Sequence, residues 1–173
     1  MQPSLYLLVA FINKVTATLQ ETYIAQIQEH SRIIHKVMML YIFDAEERED
    51  VYQEVLYQAW KSYPRFKGDS KFSTWLYKVA LNTVLTYRRK AGQKPDKTPL
   101  SHEEIPAPAE GTHERADLLY RAISQLAETD RAIISLHLDG YSNEEIADVI
   151  GISLNNTGVK LHRIKKTLTA KLQ

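Results

Sequence analysis

Residues 142–166, SNEEIADVIGISLNNTGVKLHRIKK, read as two short helices around a tight turn. Ser142 with Glu145 three residues on forms a capping box, in which side chains and backbone donors satisfy one another at a helix start. Ile146, Ala147 and Ile150 then recur on one face at helical spacing. Gly151 ends this helix, because glycine enters a left-handed cap without a Cβ clash. Ser153 is a second N-cap, and Thr157, Leu161, Ile164 and Leu168 form the inner face of the helix it opens. Helix, glycine turn, helix is the pattern that lays a second helix in the DNA major groove. Asn155, Asn156, Lys160, His162 and Arg163 point outward or along the edge of that helix, and from Leu154 to Gln173 there are five basic residues and no acidic one. An amphipathic hairpin with a solvated basic face would share this composition. The spacing of Ala147, Gly151 and Ser153 favours the DNA reader.

The rest of the chain says whether that reader acts alone. It has 173 residues, enough for one large domain or two small ones, and a formal net charge of +1. With no cysteine, a disulfide framework and a thiolate metal site are excluded, which fits a reducing compartment. Charge is distributed in blocks. Residues 44–54 hold six acidic side chains against one basic, and residues 61–90 hold eight basic against one acidic. Two blocks of opposite sign point to two different partners. The one long apolar run, Leu5 to Ile12, is too short to span a bilayer and lacks the flanks of a signal peptide. Stable membrane insertion is not expected, and a cytoplasmic location is.

From Gln20 to Phe43 apolar residues, Ile24, Ile27, Ile33, Ile34, Val37, Met38 and Leu40 among them, recur at helical spacing and predict one or two core helices. Asp44 to Trp60 predicts a helix with Val51, Val55 and Ala59 inward and Asp50, Gln53 and Glu54 sharing another face. Its carboxylates are spread around the helix with no histidine at ligand spacing, so a solvated acidic face, or more sharply a protein-docking face, suits them better than a metal or acid–base site. No metal, cofactor or catalytic residue is expected.

Lys61 to Lys90 interleaves Tyr63, Phe66, Phe72, Trp75, Tyr77 and Tyr87 with Lys61, Arg65, Lys67, Lys71, Lys78, Arg88 and Arg89. Aromatic faces stack unpaired bases and cations track phosphates, a combination suited to melted nucleic acid, although rings such as Phe72 and Trp75 also suit a core. Ser73 or Thr74 is expected to cap the helix here, with Leu76, Val79, Ala80, Thr83 and Val84 inward. Between Ala91 and His113 periodicity stops and four of the six prolines occur, which predicts a flexible linker dividing the chain and argues against one compact domain. Helical periodicity resumes at Glu114, breaks at Ala127–Asp130, and pauses at Gly140 before the capping box. The expected fold is all-α: two small helical domains at 21–91 and 114–173, a linker at 92–113, and an N-terminal extension over residues 1–20.

This order of parts resembles the extracytoplasmic-function (ECF) group of bacterial sigma factors, in the sigma-70 family, over nearly all of the chain after Gln20. DVYQEVLYQAW (Asp50–Trp60) is similar to region 2.2, and the resemblance implies that Asp50, Gln53 and Glu54 dock on the β′ clamp helices of RNA polymerase core. PRFKGDSKFSTWLYKVALNTVLTYRR (Pro64–Arg89) resembles regions 2.3 and 2.4, which melt and read the −10 element. The implied −10 set is Lys67, Lys71, Phe72, Trp75, Lys78, Asn82, Arg88 and Arg89, with Asn82 and the 67–72 loop on the unpaired strand and Arg88 and Arg89 on phosphates. Leu126–Ser153 and Asn155–Leu168 resemble region 4, which reads the −35 element and touches the β flap; the implied set is Ser142, Asn155, Asn156, Lys160, His162, Arg163 and Lys166. Thr86, Ala127, Thr157 and Lys160 depart from the family's usual aspartate, proline, β-branched aliphatic and arginine. Thr157 still fits a small buried position, where its hydroxyl can bond back along the helix. Lys160 keeps the charge without the bidentate geometry of arginine. The resemblance implies a promoter-specificity factor that binds promoter DNA with the polymerase and is open to capture by an anti-sigma factor. A polymerase-independent regulator of duplex DNA is the alternative expectation.

Overall fold

The computed structural model describes the backbone of residues 5–92 and 114–172, and the side chains of 17–92 and 118–172. Among these residues there are seven α-helices and one short 3-10 turn: α1 (Leu5–Tyr41), α2 (Ala45–Ser62), the turn Tyr63–Arg65, α3 (Phe72–Gly92), α4 (Glu114–Ser124), α5 (Glu128–Leu138), α6 (Asn143–Ile150) and α7 (Leu154–Leu172). The linker expected at 92–113, apart from Gly92, lies outside the described residues, as do the side chains of Leu5 to Ile12.

The first domain is α1–α3. At 37 residues α1 is one continuous helix about 55 Å long at 1.5 Å per residue, and it carries the residues before Gln20 on the same rod as the core positions after it. Ile34 and Val37 on α1, Val51, Val55 and Ala59 on α2, and Leu76, Ala80 and Val84 on α3 have no exposed surface. Fully burying each of the Ile, Val and Leu side chains among them is worth roughly 1.5–3 kcal/mol. The stripe expected on α2 is therefore the buried one. Ile24, expected in the core, is 44% exposed instead and lines an open groove between α1 and α2.

Two helix starts differ from expectation. Asp44, counted with the acidic face, is the N-cap of α2: its Oδ1 accepts the backbone N–H groups of Glu46 and Glu47, each at 2.9 Å. Such a cap is worth about 1 kcal/mol. Helix α3 begins at Phe72, so Ser73 and Thr74 stand inside its first turn and do not cap it. The Lys71 carbonyl accepts the first bond there, from Trp75 N–H at 3.1 Å.

The second domain is α4–α7. Helix α5 begins at Glu128, within the expected break, and Ala127 occupies its N-cap without a side-chain bond. The capping box at Ser142 is complete: Glu145 N–H donates to Ser142 Oγ at 3.2 Å, and Ser142 N–H donates to Glu145 Oε2 at 2.9 Å. Gly151 has φ +76°, the left-handed value that only a residue without a Cβ adopts freely. Ser153 Oγ accepts from Asn156 N–H at 3.3 Å, and Thr157 Oγ1 bonds back to the Ser153 carbonyl at 3.2 Å. Thr157, Leu161, Ile164 and Leu168 are buried, as their spacing requires. Val149 joins them on the inner side of α6, a position that Ala147 and Ile150 only flank.

The linker does not keep the two domains apart. Helix α3 packs on α6, and the buried residues of both domains form one cluster. At the centre of the contact, Arg131 Nη1 on α5 donates to the Leu40 carbonyl at 2.6 Å, while Nη2 donates to the Ser124 and Leu126 carbonyls at 2.6 and 3.2 Å. The guanidinium lies 5.2 Å from the ring centre of Tyr41, whose hydroxyl donates in return to the Glu128 carbonyl at 2.8 Å. Tyr77, fully buried on α3, meets Tyr141 edge-on with ring centres 5.8 Å apart.

Candidate polymerase and nucleic-acid interfaces

Helix α2 turns its buried stripe inward, which leaves Asp50, Gln53 and Glu54 exposed together on its outer side. Side-chain amides hold two of the local carboxylates in place: Gln53 Nε2 donates to Glu49 Oε1 at 3.0 Å, and Gln58 Nε2 to Glu54 Oε1 at 2.7 Å. Beside this acidic face an open apolar groove runs between α1 and α2, lined by Tyr23, Ile24, Ile27, Leu56, Tyr57 and Trp60, with Gln53 on its rim. Tyr57 is 55% exposed and Trp60 36%. Burial pushes the Tyr23 hydroxyl up to about 12, so it stays a neutral donor to the Leu56 carbonyl, 2.9 Å away. The face is thus acidic with an aromatic border, and the border was not foreseen. Ile24, Tyr57 and Trp60 fall at spacings that suit a helix core as well as an edge.

The basic aromatic stretch divides between core and surface. Phe72 is 8% exposed and packs its ring against Trp75, Phe66 and Tyr63, with centres 5.2, 5.8 and 6.2 Å away. Trp75 is half-buried and lies 5.1 Å from Phe66, so these rings make a continuous patch at the base of the loop. The loop turns at Gly68, whose φ of +80° calls for glycine. Lys67, Asn82 and Arg89 are exposed, and Arg89 Nη2 donates to Thr86 Oγ1 at 3.1 Å. The other three cations of the −10 set are engaged by the second domain. Lys71 Nζ is 3.0 Å from Glu145 Oε1, Lys78 Nζ 2.9 Å from Asp148 Oδ1, and Arg88 Nη1 2.7 Å from Glu128 Oε1.

On the helix-turn-helix, Ser142, Asn155, Asn156, His162, Arg163 and Lys166 are exposed. Asn143, Glu144, Asn155, Gly158, His162 and Arg163 border a shallow concavity between the start of α6 and the outer side of α7. Lys160 is set apart from them. Partly buried, it donates to Asp130 Oδ1 at 2.9 Å and ties α7 to α5. Leu154 and Val159, 48% and 53% exposed, stand on the same outer side and give it apolar contacts of the sort that thymine methyl groups accept. Their exposure went unread because a lone apolar residue between polar ones carries no periodic signal. The first domain therefore presents an exposed acidic face and a cationic aromatic face, and the second an exposed basic helix behind a glycine turn.

A protein with those three surfaces is a bipartite DNA-binding transcription factor with a separate protein-docking helix. Comparison with known proteins makes that class specific. Residues 26–94 match the family described as Sigma-70 region 2, and residues 116–168 that described as Sigma-70, region 4. The chain is 30% identical over 158 residues to the RNA polymerase sigma-H factor of Pseudomonas aeruginosa, covering 80% of this chain and 81% of that one. It is 30% identical over 139 residues to the ECF RNA polymerase sigma-E factor of Escherichia coli K12, covering 72% of this chain and 73% of the relative. In fold it is similar to the sigma factor RpoE of Bartonella quintana, solved in complex with the anti-sigma factor NepR, with a TM-score of 0.68 and 24% identity over 84% of this chain and 94% of that one. CnrH, solved with the cytosolic domain of CnrY, has a TM-score of 0.62 and 18% identity, covering 88% of each chain. The chain belongs to the ECF group of the sigma-70 family of RNA polymerase sigma factors. Its function is promoter recognition in transcription initiation, and sigma factors are initiation factors, with the chemistry left to the polymerase. No helix among the described residues is long and apolar enough to cross a membrane.

Proposed function

We propose a division of this function between the two domains, 21–91 and 114–173, with 92–113 as the linker. Asp50, Gln53 and Glu54 dock on the clamp helices of RNA polymerase core, with Tyr57 and Trp60 supplying apolar contact at the edge. Exposed carboxylates give long-range attraction to a basic clamp, and the aromatic border gives area to bury. Lys67, Lys71, Lys78, Asn82, Arg88 and Arg89 carry the melted −10 strand, with Trp75 as the stacking ring nearest the surface. Phe72 contributes by fixing Trp75 from the core side. Asn155, Asn156 and Arg163 read base edges of the −35 element, where Asn suits adenine and Arg suits guanine, while His162 and Lys166 lie along the backbone. Ser142 places the start of α6 through its cap, and Lys160 holds α7 on α5 within reach of the same phosphates.

The observation that carries this reading is the coexistence, in one chain, of an exposed carboxylate face on α2 and a cationic aromatic face on α3. A regulator acting on closed duplex needs neither. We place its action in the cytoplasm, with the polymerase, and its control by an anti-sigma factor follows by analogy with the Bartonella quintana relative. Run-off transcription with purified core polymerase on a genomic fragment library tests the assignment. Discrete transcripts that require the chain are expected; their loss on Asp50→Ala/Gln53→Ala, with the free protein still folded, assigns the docking face.

A further inference from the structure

Gly158 has no explanation inside the fold. It stands in the second turn of α7 and is not among the glycines with positive φ. A Cβ added there would meet nothing within 4 Å, so alanine would fit. Glycine inside a helix is less stable than alanine, because it loses more backbone freedom on folding. A bare position of this kind suits the close approach of another molecule to the helix. Leu154 and Gly158 are four residues apart, as are Asn155 and Val159, so the four make one patch over the first two turns. We propose that Leu154, Gly158 and Val159 form an uncharged strip that selects thymine in the −35 element through its 5-methyl group, with Gly158 left bare so that the helix seats against the base edges. The proposal rests on the reading of α7 as the −35 helix.

A recognition helix presents its N-terminal residues to the bases. Here those are residues 154–159, LNNTGV, which carry no charge. Lys160, next in line, is tied to Asp130 Oδ1 at 2.9 Å. The first two turns therefore lack the guanidinium or ammonium that reads guanine O6 and N7. They offer instead two apolar side chains, Leu154 at 48% and Val159 at 53% exposure. Exposed apolar residues taken singly are common on protein surfaces. Two of them beside a bare backbone position, on the side that enters the groove, make a surface with a shape of its own. The methyl group on a base edge in the major groove belongs to thymine. Asn155, exposed beside them, brings an amide suited to adenine N6 and N7, so the patch matches A·T pairs in both its polar and its apolar parts. Glu144 faces them across the concavity from α6, and its carboxylate repels phosphate, which favours base edges over backbone at this place. A methyl at position 158 would stand between helix and base and lift both apolar contacts away.

The test uses the full chain assembled with core polymerase, on promoter fragments in which single thymines of the preferred −35 element are replaced by uracil. The exchange removes the methyl and keeps every hydrogen-bonding group. Affinity should fall about threefold to fivefold at one or two thymine positions, the loss expected for one methyl contact. Val159→Ala should bring the thymine-to-uracil ratio towards one, as should Leu154→Ala at a neighbouring position. Gly158→Ala should raise the melting temperature of the free chain by about 2–4 °C. The same variant should bind the thymine-bearing promoter about threefold more weakly, an opposition of stability and binding that a purely structural glycine does not give. Thr167→Ala, exposed at the far end of α7, should change neither. A preferred element without thymine, equal binding of thymine and uracil at every position, an unaltered ratio in Val159→Ala, or full affinity in Gly158→Ala would overturn the strip. Footprinting of the −35 duplex with Arg163→Ala reports separately on α7 as its reader, because that contact involves no methyl group.

Discussion

Glu145 and Lys71 meet across the two domains at 3.0 Å, and the same glutamate caps helix α6 by accepting the Ser142 N–H at 2.9 Å. The cap bond to Ser142 and the ammonium of Lys71 together hold the Glu145 carboxyl below its ordinary value of 4.5. A depressed folded-state pKa means that this stabilisation is present above the unfolded value and is lost as pH falls through the folded one. Urea midpoints of the parent should therefore fall on acidification below about pH 4.5, and part of that slope should vanish in Glu145→Gln, which keeps the capping geometry without the charge. An unchanged slope in the variant would remove Glu145 from this role.

Arg131 is the most consequential polar residue of the interdomain contact. Replacing it with alanine strips three carbonyls of a charged donor and should cost about 2–4 kcal/mol in urea unfolding. Arg131→Met keeps the stem that packs by Tyr41 and should cost less than alanine. Burial lowers the pKa of this guanidinium without bringing it near neutrality, so the effect should not vary between pH 6 and 9.

On α2 the docking face should separate binding from folding. Asp50→Ala and Gln53→Ala change exposed side chains and should leave the melting temperature within about 1–2 °C. Affinity for core polymerase, measured by anisotropy of a labelled chain, should fall about tenfold or more. Trp60→Ala should weaken the same affinity while also loosening the ring contact with Tyr23, 5.0 Å away.

Helix α7 should split by chemistry. Arg163→Ala and Asn155→Ala, if they meet base edges, should each cost about 1–3 kcal/mol on the preferred −35 sequence and relax discrimination there. Lys166→Ala should weaken binding on every sequence alike and reduce the salt slope by about one. Lys160→Ala should act mainly on stability through its lost pair with Asp130. Competitive binding to a randomised duplex at two salt concentrations separates the first two effects, and the urea midpoint of Lys160→Ala identifies the third.

Much of the second domain was legible from its punctuation. Ser142, Gly151 and Ser153 impose backbone requirements that few other residues meet, so the ends of α6 and the start of α7 followed directly. The inner stripe of α2 was equally legible, because Val51, Val55 and Ala59 recur at helical spacing with Gln53, Glu54 and Gln58 between them. What sequence left dark was the pairing of the halves. Long-range contacts such as Arg131 with Leu40, or Tyr77 with Tyr141, leave no periodic trace, and a proline-rich stretch between domains reads as separation whether or not they touch. The clue available was Arg131 inside the run from Arg131 to Leu136, where a charge among buried residues asks for a partner. For the same reason Lys71, Lys78 and Arg88 were legible as part of a cationic set, while their pairing with Glu145, Asp148 and Glu128 was not.

The most direct test of the central claim is permanganate reactivity of thymines on a promoter recovered by run-off transcription. Reactive thymines around the −10 element should appear only when the chain, core polymerase and promoter are combined, and should fade with Asp50→Ala/Gln53→Ala or with Trp75→Ala. Protection of duplex DNA by the chain alone, with no reactive thymine when polymerase is added, would contradict the account and leave a regulator that binds closed DNA.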